Sequence, residues 1–145
     1  FVFKRELLRI PFFGWSMARL DMIHIQRESR AASLKQVVSQ GKKLLAQGTW
    51  VIMFPEGTRM PRGQKGTYQT AGTRLAVDAG ACVIPIAVAS ARCWPRRGLI
   101  KYPGVVAVSI GQPIPSAGRE AKELMREVEA WIEAEMRRLD PDAYL

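Results

Sequence analysis

The sequence predicts a single α/β domain over residues 1–145, in which helices flank a mostly parallel central sheet. Segments with apolar residues at helical spacing alternate with short runs of β-branched and aromatic residues, as strands and helices do around a parallel sheet. The chain has 145 residues and is 48% hydrophobic, which suffices for one core. Its longest apolar runs are too short to cross a bilayer as helices.

Three segments have the apolar spacing of an amphipathic helix. Residues 29–47 form the first, with Gln and Lys on the opposite face and Gly48 at its end. Residues 70–79 form a shorter helix that ends at Gly80. Residues 117–139 show the clearest pattern, and we expect this helix to cover the sheet. The apolar stripes comprise Leu34, Val37, Val38, Leu44 and Leu45 in the first helix and Ala121, Leu124, Val128, Trp131, Ile132 and Leu139 in the last.

Four apolar runs predict strands. Residues 22–25 form a brief one, and residues 105–110 form the last. Residues 50–54 are rich in aromatic and β-branched types, which predicts a short strand buried on both faces. Residues 82–89 contain Pro85, so this strand is expected at an edge, at a bulge or at the end of pairing.

A group of chemically useful side chains follows the predicted strand at residues 50–54. Glu56, Gly57, Thr58 and Arg59 fall at the carboxyl end of that strand, where open α/β sheets usually bind ligands. A carboxylate, a hydroxyl and a guanidinium suit a ligand with both hydroxyl and phosphate groups, because the planar fork of Arg matches two phosphate oxygens. The same residues also fit an ordinary polar turn after a strand.

The charge of the chain is uneven. Residues 1–110 contain 17 Lys or Arg against 5 Asp or Glu, whereas residues 111–145 contain 5 against 8, and the net charge is +9. Such a basic surface favours polyanions, among them nucleic acid, anionic lipid headgroups and phosphorylated metabolites. The chain lacks the spacing of a helix-turn-helix, a zinc finger or a single-strand stacking platform, so we expect no nucleic-acid partner.

Aromatic residues near bases add a membrane hypothesis. Residues 10–15 are aromatic and prone to turn, with basic neighbours, and Trp94 also lies among bases. Such rings suit the polar–apolar boundary of a membrane, although they also suit a protein core. We therefore expect docking on an anionic membrane surface without spanning it.

The inventory of reactive side chains is short. Cys82 and Cys93 are expected to be free thiols of a cytosolic chain, and with His24 as the only histidine no metal site is predicted. His24 lies inside an apolar run, where a histidine is more often packed and hydrogen-bonded than a general base.

Residues 54–59, Phe-Pro-Glu-Gly-Thr-Arg, are identical to the FPEGTR signature of the glycerolipid acyltransferases, specifically of the 1-acyl-glycerol-3-phosphate acyltransferase group. Further blocks follow the order of that family. Residues 23–27 resemble its FIDR-type block, with Arg27 at the position of the arginine. Residues 83–88 resemble its VVPV-type block, and residues 10–15 resemble the segment that links its first two blocks.

The resemblance implies transfer of an acyl group from acyl-coenzyme A or acyl carrier protein to lysophosphatidic acid, which gives phosphatidic acid in phospholipid biosynthesis. It implies no cofactor beyond this acyl donor. By the same resemblance, Arg27 and Arg59 hold the phosphate of the acceptor, while Glu56, Gly57 and Thr58 shape the acceptor pocket. In the family, a histidine deprotonates the acceptor hydroxyl, and an acidic residue after four intervening positions orients it.

The sequence departs from the family pattern at two places. The histidine block is absent, because the residue at the acidic position relative to His24 is Ser29. In the family that block lies just upstream of a segment like residues 1–15, so we expect the chain to be truncated after it, with its catalytic residues outside the chain. Gln69 stands where many relatives carry lysine.

Two hypotheses follow. The first is an acyltransferase domain at the cytoplasmic face of a membrane, peripheral or anchored by a missing N-terminal segment, whose given part binds the acceptor alone. The second is a non-catalytic module that binds lipid phosphate or a membrane surface on the same scaffold. We further expect Arg27 and Arg59 to converge on one anion, because each follows a short apolar run that would place it at the same sheet edge.

Overall fold

A computed structural model describes residues 1–20, 22–25 and 30–145, and for residues 3–6, 17, 24, 25, 30 and 31 it describes the backbone alone. The strands are β1 (Val2–Lys4), β2 (Ile23–Ile25), β3 (Ile86–Ala89) and β4 (Ala107–Ile110). The helices are α1 (Phe13–Ala18), α2 (Arg30–Ala46), α3 (Ala71–Ala79) and α4 (Ala121–Leu139), with short 3₁₀ helices at Arg5–Arg9 and Pro141–Ala143.

The strands form two pairs. β1 lies parallel to β2, with Val2 opposite Ile23. β3 lies antiparallel to β4, with Ile86 opposite Ile110. The predicted α/β class is confirmed, but the expectation of a mostly parallel central sheet is wrong for the described strands. A parallel neighbour needs a crossover, usually a helix, whereas the connection from β3 to β4 over residues 90–106 contains no helix and returns the chain in the opposite direction.

Pro85 marks an interruption of pairing, as the sequence predicts. β3 begins at the next residue, and an isolated antiparallel bridge joins Val83 to Ile114 on the other side of Pro85. Because proline lacks an N–H, Pro85 contributes only its carbonyl, which accepts a hydrogen bond of 2.9 Å from the Gly111 N–H. The chain therefore changes from a bridge to a regular ladder at this residue.

The first part of the core lies between β2, α2 and α3. Ile23, Val37 and Leu75 are buried there, one from each element. Gly41 of α2 allows this approach, since a Cβ at that position would collide with the Leu75 side chain. The helical stripe read from residues 29–47 thus faces the interior as predicted, and α3 ends in a left-handed Gly80, as expected of a glycine stop.

The second part of the core lies beneath α4. This helix packs against β3, β4 and α3, and it buries Leu124 and Val128 beside Ala87 of β3. Two hydroxyl groups fix α3 to the start of α4. Thr73 Oγ1 donates to the Ala121 carbonyl at 2.8 Å, and Ser116 Oγ donates to the Ala76 carbonyl at 2.9 Å. The predicted covering helix is confirmed.

The segment at residues 50–54 differs from its prediction. It forms no strand and pairs with none of the described strands. Val51 and Met53 pack on the core, whereas Trp50, Ile52 and Phe54 are exposed. Composition indicated a strand buried on both faces, but a strand forms only where another backbone lies alongside to pair with it. The alternation instead buries one face only.

Within the part of the chain that the structure describes, no helix combines the length and the apolar character needed to cross a bilayer.

Candidate acceptor-binding site

Residues 55–69, here called the signature loop, leave the core and return to it. Its ends meet where the Gln69 N–H donates to the Pro55 carbonyl at 2.8 Å. Inside it, the Gly57 N–H donates to the Phe54 carbonyl at 3.0 Å, which closes a tight turn at a φ of 67°. Glycine adopts this left-handed conformation without steric cost. Since Gln69 closes the loop through its backbone, the closure does not depend on the lysine that many relatives carry there.

Ion pairs hold the signature loop against the C-terminal part of the chain. Arg62 binds both carboxylate oxygens of Asp140, at 2.7 and 2.6 Å. Lys65 pairs with Glu129 of α4. Arg92, which follows β3, also pairs with Asp140. A bidentate guanidinium–carboxylate pair fixes orientation as well as distance, so the loop has one defined position on α4.

Gly63 brings the signature loop into backbone contact with the C-terminal 3₁₀ turn. A Cβ at this residue would collide with the Ala143 carbonyl, and its φ of 73° lies in the left-handed region. Both observations require glycine at this position. The two backbones therefore lie too close together at Gly63 for a side chain to fit between them.

Glu56 points from the signature loop toward α4. A Cβ at Gly66 would lie 2.7 Å from Glu56 Oε2, so the loop folds over this carboxylate. Burial and the neighbouring Glu133 carboxylate raise the pKa of Glu56. We conclude that Glu56 faces the interior of the site, where charge is poorly solvated.

Tyr68 and Glu133 complete the interior of the site. The Tyr68 hydroxyl donates to Glu133 Oε1 at 3.0 Å. Glu133 is 8% exposed, and its Oε2 has no hydrogen-bond partner among the described residues, with Arg137 Nη1 4.0 Å away. Burial and the Glu133 charge raise the pKa of Tyr68, which therefore remains a hydrogen-bond donor at neutral pH.

Arg59 points outward, away from this carboxyl cluster. Its guanidinium lies 4.0 Å from the centroid of the Trp94 ring, and Lys101 Nζ lies 4.6 Å from the same centroid. A cation over an aromatic ring is attracted through the face of that ring. No carboxylate of the described residues pairs with Arg59, so its guanidinium is available for a bidentate anion.

The structure therefore divides the predicted acceptor residues. Glu56 is partly buried and its pKa is raised by the Glu133 carboxylate, Gly57 forms the turn, and Thr58 and Arg59 are exposed. Arg27 lies outside the described residues, so its predicted convergence with Arg59 stays a prediction.

Sequence reasoning missed Tyr68, Lys101 and Glu133 at this site, and it assigned Trp94 to a membrane contact instead. The signal in α4 is a line of residues four apart, Met125, Glu129 and Glu133, all at least partly buried. Carboxylates on such a line indicate a second buried helix face that meets polar partners.

Metal binding finds no support in the described part of the chain, where no three His, Cys, Asp or Glu residues are grouped so as to hold an ion. Cys82 and Cys93 are both free thiols, the first exposed and the second buried.

Comparisons with known proteins identify the family of this chain. A sequence model of the acyltransferase family matches residues 1–89. The 1-acyl-sn-glycerol-3-phosphate acyltransferase of Pseudomonas aeruginosa is 46% identical over 143 residues, which cover 97% of this chain and 56% of that protein. A chloroplast protein of the same name from Arabidopsis thaliana is 30% identical, over 94% of this chain and 38% of that protein.

A solved structure gives the same result for the fold. The crystal structure of the 1-acyl-sn-glycerophosphate acyltransferase PlsC from Thermotoga maritima superposes with a TM-score of 0.78 and 27% identity, over 96% of this chain and 56% of that one. The chain thus spans about half the length of this protein and of the Pseudomonas relative. With the family match over residues 1–89 and the intact signature at residues 54–59, the chain belongs to the acyltransferase family, in the group of the 1-acyl-sn-glycerol-3-phosphate acyltransferases.

Proposed function

We propose that this chain is the acceptor-binding part of an enzyme that acylates lysophosphatidic acid to phosphatidic acid. The acceptor hydroxyl oxygen attacks the thioester carbonyl of acyl-coenzyme A or acyl carrier protein, an ester C–O bond forms, the C–S bond breaks, and the thiol leaves with the hydroxyl proton. The names of the similar proteins support this acceptor. Nothing specific favours one of the two acyl donors.

The observation that carries the proposal is the outward position of Arg59. Its guanidinium is held over Trp94, and no carboxylate of the described residues pairs with it. By contrast, Arg62 in the same loop is bound to Asp140. The proposed role of Arg59 is to bind the acceptor phosphate through its free N–H edges, with Lys101 nearby on the same ring.

The carboxyl cluster has a positioning role in this proposal. Glu56, Tyr68 and Glu133 fix the inner side of the signature loop, while Arg59 presents its cation on the outer side. The acceptor would then meet a loop of one fixed shape, which spares the cost of ordering it on binding.

We also propose that the chain acts at the cytoplasmic face of an anionic membrane, where its lipid acceptor resides. The net charge of +9 supports attraction to anionic headgroups, and free cysteines fit a reducing compartment. Phe12 and Trp15, which contact each other edge to face at 5.2 Å between ring centroids, are exposed beside Phe13. These exposed rings favour the membrane hypothesis over the core hypothesis for residues 10–15.

The test of acceptor binding uses a short-chain, water-soluble lysophosphatidic acid and the Arg59→Ala variant. Loss of a charge-assisted hydrogen-bonded pair should weaken binding by roughly 10- to 100-fold in calorimetric titration. Arg126→Ala is the matched control, because Arg126 is exposed on α4. A monoacylglycerol without phosphate should bind Arg59→Ala and the parent chain equally. Equal losses in the Arg59 and Arg126 variants would contradict the proposal.

The same samples test whether the chain transfers acyl groups by itself. No histidine of the chain has an acidic residue at the family spacing, so we expect no release of thiol from acyl-coenzyme A above background. General-base assistance is worth roughly 10²- to 10⁴-fold in rate, and its absence should be plain. Thiol release that disappears in His24→Ala would assign the base to His24 and overturn the expectation.

A further inference from the structure

Residues 94–105, here called the interfacial loop, combine exposed apolar side chains with unpaired cations. Leu99 is 94% exposed, Val105 87% and Ile100 67%. Large apolar groups this exposed are unusual when they occur together in one segment. The segment lies beyond residue 89, where the match to the family's sequence model ends, although the Pseudomonas relative aligns over 97% of the chain.

The charges of the interfacial loop have one sign. Arg96, Arg97 and Lys101 are exposed, and no carboxylate of the described residues pairs with them. No Asp or Glu occurs anywhere in the chain between Asp78 and Glu120. The apolar side chains are therefore framed by positive charge alone, which complements a surface that is anionic outside and apolar beneath.

Hydrogen bonds hold the interfacial loop in a defined conformation. At its base the Tyr102 N–H donates to the carbonyl of buried Cys93 at 2.8 Å, and Cys93 Sγ lies 3.7 Å from the Val105 carbonyl. Its first turn closes where the Gly98 N–H donates to the Pro95 carbonyl at 3.0 Å. With its base fixed in this way, the loop keeps its apolar tip away from the core.

Trp94 joins the interfacial loop to the acceptor site. Its ring carries Lys101 of the loop and Arg59 of the signature. Trp and Tyr are the side chains that favour the headgroup level of a bilayer. Whatever the loop tip contacts is therefore adjacent to the proposed phosphate-binding residue.

We propose that the interfacial loop inserts Leu99, Ile100 and Val105 into the surface of an anionic bilayer and holds Arg59 at the level of the lipid headgroups. An acceptor would then reach Arg59 by lateral movement within the membrane, with its acyl chain still in lipid. This inference rests on the proposed function and adds to it the route by which the acceptor arrives.

The first experiment measures co-sedimentation of the chain with vesicles of phosphatidylcholine that contain phosphatidylglycerol. Leu99→Gln should lower the partition coefficient by about fivefold or more, because an apolar side chain no longer enters the lipid. Leu145→Gln, the same change at another exposed leucine, should have no effect. Equal partitioning of the two variants would overturn the inference.

The second experiment separates charge from insertion. Arg96→Gln and Lys101→Gln should each weaken binding by about fivefold at low salt, since a base near an anionic surface contributes on the order of 1 kcal/mol. Leu99→Gln should retain the salt dependence of the parent chain at a lower affinity. If Leu99→Gln instead lowers the sedimentation coefficient without lipid, the loop is a contact between copies of the chain and the inference fails.

The third experiment locates the loop directly. A polarity-sensitive fluorophore on Leu99→Cys, in a chain that carries Cys82→Ser, should shift to shorter wavelength with anionic vesicles, whereas the same label on Leu145→Cys should not. Titration with soluble lysophosphatidic acid, without vesicles, tests the proposed function alone. Normal soluble binding with no spectral shift would reject the interfacial loop and leave the acceptor site intact.

Discussion

At the scale of single residues, the signature separates into two environments within four positions. Glu56 is partly buried and feels the charge of Glu133, whereas Arg59 lies over the Trp94 ring at the surface. Burial weakens the solvation of the carboxylate, while exposure leaves the guanidinium free to meet an anion. One short turn thus combines a structural role for Glu56 with the ligand-binding role that we propose for Arg59, and motif matching alone does not distinguish the two.

The raised pKa of Glu56 predicts a pH-dependent stability. The folded chain holds the Glu56 proton more tightly than the unfolded chain, so this stabilisation is complete below the ordinary value of 4.5 and is lost as the pH rises through the folded-state pKa. We therefore expect Glu56→Gln to raise the urea midpoint at neutral pH, with a difference that disappears at lower pH. Urea unfolding followed at several pH values measures this.

Glu135→Gln is the control of opposite sign. Hydrogen bonds from Arg138 lower the pKa of Glu135, so its contribution is present above 4.5 and is lost as the pH falls through the lower, folded-state pKa. This variant should lose stability at neutral pH. If both substitutions shift the midpoint in the same direction at neutral pH, burial of Glu56 is not the cause.

At the scale of elements, the signature loop keeps its shape through contacts that lie outside it. Its own closure is a single backbone hydrogen bond, whereas Arg62, Lys65 and Tyr68 all bind groups of α4 or of the turn that follows. Loops that present ligand-binding groups need such support, because each ordered residue costs conformational entropy.

Gly63→Ala should open the signature loop. The substitution places a methyl group against the Ala143 carbonyl and also adopts an unfavourable φ. Gly118→Ala is the matched control, since its φ of 72° is nearly the same but nothing lies within 4 Å of the new methyl. Both should pay about 1 kcal/mol for the left-handed conformation, and Gly63→Ala should lose measurably more in urea unfolding. Equal losses would show that the close approach to Ala143 contributes nothing.

Helix α1 (Phe13–Ala18) was not predicted, since residues 10–15 were interpreted as a turn-prone segment. Helices α2, α3 and α4 were predictable from the sequence. Each has an apolar stripe at helical spacing, and glycine follows α2 and α3, so local sequence decides their existence and extent. Residues 50–54 were mispredicted because strand formation depends on a partner that may lie anywhere in the chain. The prediction of a mostly parallel sheet was wrong for a related reason, because the direction of pairing depends on the segment that connects two strands.

The sequence motif of the candidate acceptor site was predictable, but the three-dimensional contacts of its residues were not. Residues 54–59 match the family signature. The residues that surround Glu56 and Arg59, however, belong to no sequence motif. Glu133 sits 77 positions after Glu56, on a helix face whose burial depends on the loop itself. Such contacts follow from the packing of elements and leave little trace in local sequence.

At the scale of the whole molecule, α4 is shared by the core and the acceptor site. One face buries Leu124 and Val128, and a second carries Glu129 and Glu133 to the signature loop. Leu124→Ala should therefore cost about 2 to 5 kcal/mol of unfolding free energy, as truncation of a fully buried leucine usually does.

Urea unfolding of Leu124→Ala beside Leu145→Ala provides the measurement. Leu145 is fully exposed, so its truncation should leave stability almost unchanged. A cost for Leu124→Ala as small as that of Leu145→Ala would mean that α4 does not form part of the cooperative core.

The contacts that anchor the signature loop also determine when this loop can fold during synthesis. Arg62 reaches a partner 78 residues later in the chain, and Tyr68 one that is 65 residues later. Because synthesis proceeds from the amino end at roughly 5–20 residues per second, a nascent chain displays the whole signature several seconds before its anchors exist. The signature loop therefore acquires its final form only after α4 has left the ribosome, which makes the candidate acceptor site one of the last parts of this chain to mature.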